Sequence, residues 1–266
     1  MNVDRSSQLS AIVIRISPFG ESHAMVDLLT PHEGLLPGVA YGLRGRRSSL
    51  RGKLVPFARG TAWLYTDPRQ DRSKITDFDV DRYALNLTAD LDAYYEASLW
   101  AEVVWRSHAS GSEGETVFRL LDQALDVLDR YPTRAGDIGS VVLWRYLDLM
   151  GLQPDLDHCA RSERPFRTGE SRFYDQNEDV LVCAEWAAPE MGEIDGPAAQ
   201  FLEAVGRPDL DGDDALFELL TANPPAKLPS HSRGMARRFV VTAIQNAVSI
   251  PLNTLKVSGG LRGMVY

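Results

Sequence analysis

At 266 residues, 44% hydrophobic and 24% charged, the chain has the composition of a globular protein, not a disordered or fibrous one. A formal net charge of -9 excludes a uniformly basic nucleic-acid coat, and no run approaches the ~20 apolar residues of a membrane span. Two cysteines, Cys159 and Cys183, supply no disulfide framework, and the opening MNVDRSSQLS lacks a signal-like apolar stretch, so a cytoplasmic location is expected.

The first 80 residues read as β structure. SAIVIRISPFG alternates Ile12, Ile14 and Ile16 against Val13, Arg15 and Ser17 before a Pro-Phe-Gly turn. HAMVDLLTPHEGLLPGVAYGL holds two more short runs about the turn signal Pro31-His32-Glu33-Gly34. KLVPFARGTAWLYT and KITDFDVD complete the set. Five short strands in 1–80 suggest a small barrel, and pattern alone leaves an OB-fold and an SH3-like barrel both open.

Between the third and fourth of these strands lies YGLRGRRSSLRGKLVPF, with Arg44, Arg46, Arg47, Arg51 and Lys53 inside ten residues. Residues 1–80 hold 11 Lys+Arg against 8 Asp+Glu, whereas 81–266 hold 17 against 29. A basic module joined to an acidic body is an electrostatic footprint for a polyanion bound at one place only. Arg44, Arg46, Arg47, Arg51, Lys53 and Arg59 are therefore the candidate phosphate contacts, because a guanidinium fork can grip phosphate with two hydrogen bonds. Tyr41, Phe57, Trp63 and Tyr65 flank them as rings for base stacking or for core packing, alternatives that period-two strands leave open. Arg233, Arg237 and Arg238 form a second basic cluster late in the chain, with 233 and 237 on one helical face; they extend the track or pair with the acidic body.

From about residue 83 the period becomes helical. DLDAYYEASLWAEVVWRSH places Leu91, Tyr94, Tyr95, Leu99 and Val103 near one face, and GETVFRLLDQALDVLDRYPT ends at Pro132. DIGSVVLWRYLDLMGLQP closes with Gly151 and Pro154. Further helices are expected over about 196–205, 213–222 and 231–248, with an irregular, hairpin-like stretch at 155–190. The expected class is α+β: a five-stranded barrel over 1–80, then a mostly helical domain over 81–266.

Signatures of catalysis do not appear. Six residues separate Gly45 from Gly52-Lys53, against the four of a P-loop, and Leu54 replaces the Ser or Thr that would reach Mg²⁺. GxSxG, HExxH and a strand-borne GxGxxG are lacking. His23, His32 and His108 read as surface or turn histidines. No enzymatic activity is expected.

The order of features resembles the RecO family of bacterial recombination mediators. AIVIRISPFGESHAMVDLLTPHEGLLPGVAYGLRGRRSSLRGKLVPF is similar to the family's opening strands, P-x-G-E turn, L-L-T-x-x-x-G-L hairpin and basic loop. YLDLMGLQPDLDHC and RRFVVTAIQNAVSIPLNTLK are similar to its later helix end and closing helix. The resemblance implies an OB-fold, binding of single- and double-stranded DNA, strand annealing, and cooperation with RecR to load RecA on DNA coated by single-strand binding protein (SSB), whose C-terminal tail is also bound. Arg145 beside Trp144 is a candidate cation for that tail. An adaptor acting mainly through RecR and SSB is the competing reading.

Many family members carry two C-x-x-C pairs that hold a structural zinc. Here Cys159-Ala160-Arg161-Ser162 and Cys183-Ala184-Glu185-Trp186 each retain one cysteine, so no metal or other cofactor is expected. Trp186 and Phe166 are expected to fill an apolar core in its place, with Cys159 and Cys183 as neighbours.

Overall fold

The computed structural model describes residues 6–46, 48–66, 73–107, 114–206, 212 and 214–258. Five strands open the chain: β1 (Ser6–Phe19), β2 (His23–Thr30), β3 (Gly34–Ala40), β4 (Arg59–Thr66) and β5 (Ser73–Arg82). They close in the order β1-β2-β3-β5-β4, with β3 and β5 parallel through Gly38↔Ser73 and Val39↔Lys74. The other pairings are antiparallel. This five-stranded Greek-key barrel is the OB-fold, which decides between the two barrels left open by the pattern.

One long strand turns the barrel corner. The first half of β1 pairs with β4 (Ser6↔Tyr65 to Ile12↔Arg59) and the second with β2 (Ile12↔Leu29 to Phe19↔His23). A register shift between Val13 and Arg15 bends it where the partners change. Ala11 and Val13 enter the barrel with Val26, Leu28, Ala62, Leu64 and Phe78. Ile12 and Ile14 point the other way, into the core of the helical part. Burial on both faces explains why the stretch reads as an almost unbroken apolar run. At Gly60 a Cβ would lie 2.0 Å from the Asp79 carbonyl oxygen, so the close approach of β4 to β5 requires glycine.

The helical part comprises α1 (Leu85–Ala89), α2 (Leu91–Ser107), α3 (Gly114–Arg130), α4 (Ala135–Leu149), α5 (Gly196–Gly206), α6 (Ala215–Ala222), α7 (Ser230–Val248) and α8 (Asn253–Ser258). Helix α4 is buried nearly all round and touches α2, α3, α5 and α7, as a helix without a polar face must. Its Trp144 is wholly buried; the indole donates to the Leu202 carbonyl at 2.9 Å and packs on Phe239.

The phase expected for α2 is corrected. Leu99 and Val103 are buried as expected, but Leu91 is 62% exposed and Tyr94 lies at the surface, and the buried stripe begins instead through Ala93, Glu96, Ala97 and Trp100. Glu96 is the reason: a carboxylate in the middle of the core stripe disguises its period.

The 155–190 stretch forms β6 (Arg172–Asp175) and β7 (Val180–Val182), and β8 (Gly192–Ile194) adds a third strand in the order β7-β6-β8. Among the described residues no helix is long and apolar enough to cross a membrane.

Candidate nucleic-acid interface

The segment joining β3 to β4 is the basic loop, and its shape follows from its leucines. Leu43, Leu50 and Leu54 are buried in the barrel core, so the loop plugs the barrel. It does so as a chain of turns: Gly45 N–H to the Gly42 carbonyl (2.8 Å), Ser48 to Gly45 (3.3 Å), Arg51 to Ser48 (3.4 Å), Leu54 to Leu50 (2.9 Å) and Ala58 to Val55 (3.1 Å). Gly42 opens the series at φ +72°, where a side chain would be strained. With the leucines facing inward, Arg44, Arg46 and Arg51 face solvent, and none makes an ion pair among the described residues. Arg47 lies outside the described residues.

The start of the loop is held against the β1–β2 turn. Arg44 N–H donates to the Ser22 carbonyl (3.1 Å), and Gly42 N–H donates to His23 Nδ1 (2.9 Å). That bond makes Nδ1 the acceptor, so in the neutral ring the proton sits on Nε2. The His23 ring meets Tyr41 edge-on at 5.0 Å, and Lys74 Nζ lies 5.9 Å over the Tyr41 ring. Tyr41 is 47% exposed. Tyr65 is half-buried and pairs with Lys74 across β4 and β5. An open ring, a histidine-fixed turn and cations thus share one end of the barrel. Lys74 was not singled out from the sequence, because only the parallel β3–β5 closure brings residue 74 beside residue 41, and His23, read there as a surface or turn histidine, gains its role from the Gly42 N–H it accepts.

The neighbouring strand face has the opposite charge. Lys53 Nζ is 2.7 Å from Asp77 Oδ1 and 3.7 Å from Asp79 Oδ1, while the Trp63 indole donates to Asp79 Oδ2 at 2.8 Å. The hydrogen bond from Lys53 holds the Asp77 carboxyl below the usual range, and that same bond raises Lys53.

Burial decides four of the candidate residues: it corrects Arg59 and Arg145, and it selects the core-packing alternative for Phe57 and the pairing alternative for Arg237. Phe57 is 2% exposed at φ +68°, its ring edge-on to Tyr94 at 5.6 Å, so it fills the joint between barrel and helices. Arg59 is 4% exposed and bonds Asp122 (3.2 Å) and Asp126 (2.7 Å) of α3, where Arg82 also binds both carboxylates. Arg237 does not share an open face with Arg233: it is buried, 2.6 Å from Glu96. Arg145 is buried, donates to the Gly206 carbonyl and pairs with Asp148 at 3.3 Å. Arg233 stays half-exposed, 3.5 Å from Asp137, and Arg238 is exposed.

The donor set in the 155–190 hairpin does not fit a structural zinc. Cys159 and Cys183 are neighbours, Cys183 N–H donating to Cys159 Sγ at 3.3 Å in a cluster with Val182, Phe166 and Phe173. Ser162 and Trp186 hold the other two positions, and no group of three metal-binding side chains occurs among the described residues. Phe166 packs on the thiols as expected, but Trp186 is 54% exposed and does not. Burial pushes the Cys159 thiol up, yet bonds from Ser162, Cys183 and Arg161 outweigh it and bring it to about 6.

Comparison with known proteins agrees with this architecture along both parts of the chain. The family model "Recombination protein O N terminal" matches residues 3–82, and "Recombination protein O C terminal" matches 88–256. The DNA repair protein RecO of Anaeromyxobacter dehalogenans is 34% identical over 186 residues, covering 68% of this chain and 70% of that one. That of Bifidobacterium adolescentis is 28% identical over 225 residues, covering 84% and 89%. With its barrel and its helical part each matched, the chain belongs to the RecO family of DNA repair proteins.

Proposed function

We propose that the chain is a recombination mediator that binds single- and double-stranded DNA through the loop plugging its barrel. It anneals complementary strands and, with RecR, helps load RecA onto SSB-coated DNA. Arg44, Arg46, Arg51 and the undescribed Arg47 serve as phosphate contacts, and Tyr41 with Lys74 offers a ring and a cation to an unpaired base and its phosphate. Arg233 and Arg238 are candidates for a second contact on α7. The observation that carries this reading is the split within one loop between buried Leu43, Leu50 and Leu54 and the exposed arginines among them, which make no ion pair among the described residues. Such charges, held on a plug of buried leucines, suit a ligand that brings its own negative charge. The test is binding of single-stranded oligonucleotides at ~50 and ~200 mM salt by the native chain and by a variant with Arg44, Arg46 and Arg51 changed to Ala. The triple variant is expected to lose affinity and about 2 units of log–log salt slope, at about 0.7 per phosphate. Equal binding by the two overturns the reading.

A second reading, an adaptor for RecR and SSB with little intrinsic DNA binding, is favoured by one feature. Tyr83, Leu85, Leu91 and Tyr94 are all exposed about the barrel–helix joint, and the Tyr83 hydroxyl reaches the Gly52 carbonyl of the basic loop at 3.0 Å. An apolar strip beside cations suits a partner protein. Undiminished RecR or SSB-tail binding by a chain that does not bind DNA would favour it.

A further inference from the structure

We infer that Asp77 and Asp79 on β5 restrain Lys53 and thereby limit how tightly the basic loop holds DNA. The inference rests on that loop being the DNA-binding element. Lys53 stands two residues beyond Arg51 on the same loop, yet its situation differs from that of the arginines. Its ammonium is tied to Asp77 at 2.7 Å and lies 3.7 Å from Asp79. Its backbone is fixed on both sides, by its own N–H on the Leu50 carbonyl (3.0 Å) and by Tyr83 on the Gly52 carbonyl (3.0 Å). Asp79 in turn is held by the Trp63 indole. The two carboxylates are thus positioned on a strand, not carried on a mobile side chain, and they face the loop.

The consequence for a strand lying on Arg44, Arg46 and Arg51 is that one cation carried by the same loop is already neutralised, by carboxylates 2.7 and 3.7 Å from its ammonium. Exposed ion pairs of this kind contribute little to stability, so a polyanion can compete for Lys53, and replacing the carboxylates should not unfold the barrel. The arrangement is an affinity limiter, a property suited to a protein that passes a strand on instead of keeping it. It also accounts for an exposed Trp63 that is turned to a carboxylate instead of being left free to stack.

The experiment compares the native chain with Asp77→Asn/Asp79→Asn, which keeps both oxygen acceptors and removes both charges. Each binds a ~20-nucleotide oligothymidylate across a salt series, after thermal melts show that both are folded. The pair should bind about fivefold tighter at ~0.1 M salt, with a log–log slope steeper by about 0.7, the equivalent of one further phosphate. Adding Lys53→Ala must remove that gain and must weaken binding more in the Asn background than in the native one. A charge-matched control, Glu185→Gln/Glu193→Gln on the exposed surface of the small sheet region, must leave affinity within about twofold. Equal gains from control and test pair, or a gain that survives Lys53→Ala, overturn the inference while leaving DNA binding by the loop intact. If the native chain fails to bind, or the Arg44/Arg46/Arg51 variant binds as well as native, the underlying reading falls first and the limiter with it.

Discussion

Arg237→Met should damage the fold and leave DNA binding alone, and the size of the damage can be worked out. Arg237 reaches across from α7 to Glu96 on α2 at 2.6 Å, and Glu96, fully buried, also accepts the Trp100 indole N–H at 2.9 Å. Methionine fills the stem's volume but strands the carboxylate, which must then take up a proton to stay buried. From an ordinary value of 4.5, that proton costs about 1.4 kcal/mol per pH unit, about 3.4 kcal/mol at pH 7. This is a ceiling, because burial already raises the native Glu96 above its ordinary value even with Arg237 pulling it down. A loss of about 2–3 kcal/mol at pH 7 is expected. The sign with pH follows. A raised folded value means stability that is full below about 4.5 and lost as pH rises through the folded value. The variant's folded value is higher still, so it goes on losing stability after the native protein has stopped. The gap should be about 1 kcal/mol near pH 5, the lost hydrogen bond, and widen to pH 8. Urea unfolding at pH 5, 7 and 8 reads it directly. A gap independent of pH would refute the buried-pair account. An unchanged unfolding midpoint with weakened DNA binding and a smaller salt slope would make Arg237 a phosphate contact after all.

The remaining expectations are shorter. Gly139→Ala on α4 would place a Cβ 1.8 Å from Glu96 Oε1, so it should disturb the same pair and lower the thermal midpoint, and it should add little to Arg237→Met in a double-variant cycle. Arg59→Met should cost about 2–3 kcal/mol in denaturant unfolding, less than a fully stranded charge, because Arg82 still serves Asp122 and Asp126. A strong chelator should leave the thermal midpoint unchanged, whereas a structural zinc site contributes on the order of 10 kcal/mol and its loss would unfold the hairpin. Lys74→Ala should weaken binding of single strands and reduce the salt slope by about 0.7 with no change in the unfolding midpoint.

What was legible in the sequence was what local pattern encodes. The five strands follow from alternation and turn residues, and the helices from their period, with the end of α4 marked by Gly151 and Pro154. What was not legible depended on partners far away in the chain. Glu96 and Arg237 are 141 residues apart, and each alone resembles a surface charge. Arg59 sits among basic neighbours in sequence, but the start of β4 turns it toward Asp122 and Asp126 on α3. Phe57, two residues before Arg59, was a ring that alternation could have sent either way; a left-handed backbone at that residue sends it inward.

The basic loop combines both kinds of information, and this bears on how the site can vary. Its leucines at 43, 50 and 54 are fixed by the barrel they fill, while its arginines at 44, 46 and 51 are exposed and make no ion pair among the described residues. Stability and charge are therefore carried by interleaved but separate residues. A change at Leu50 should lower stability and affinity together, because the turns that aim the arginines hang from it. A change at Arg46 should alter affinity alone. Under the proposed function the acidic balance of the whole chain sharpens the point: in a protein of net charge -9, exposed arginines that make no ion pair among the described residues are where an external anion completes the charge balance.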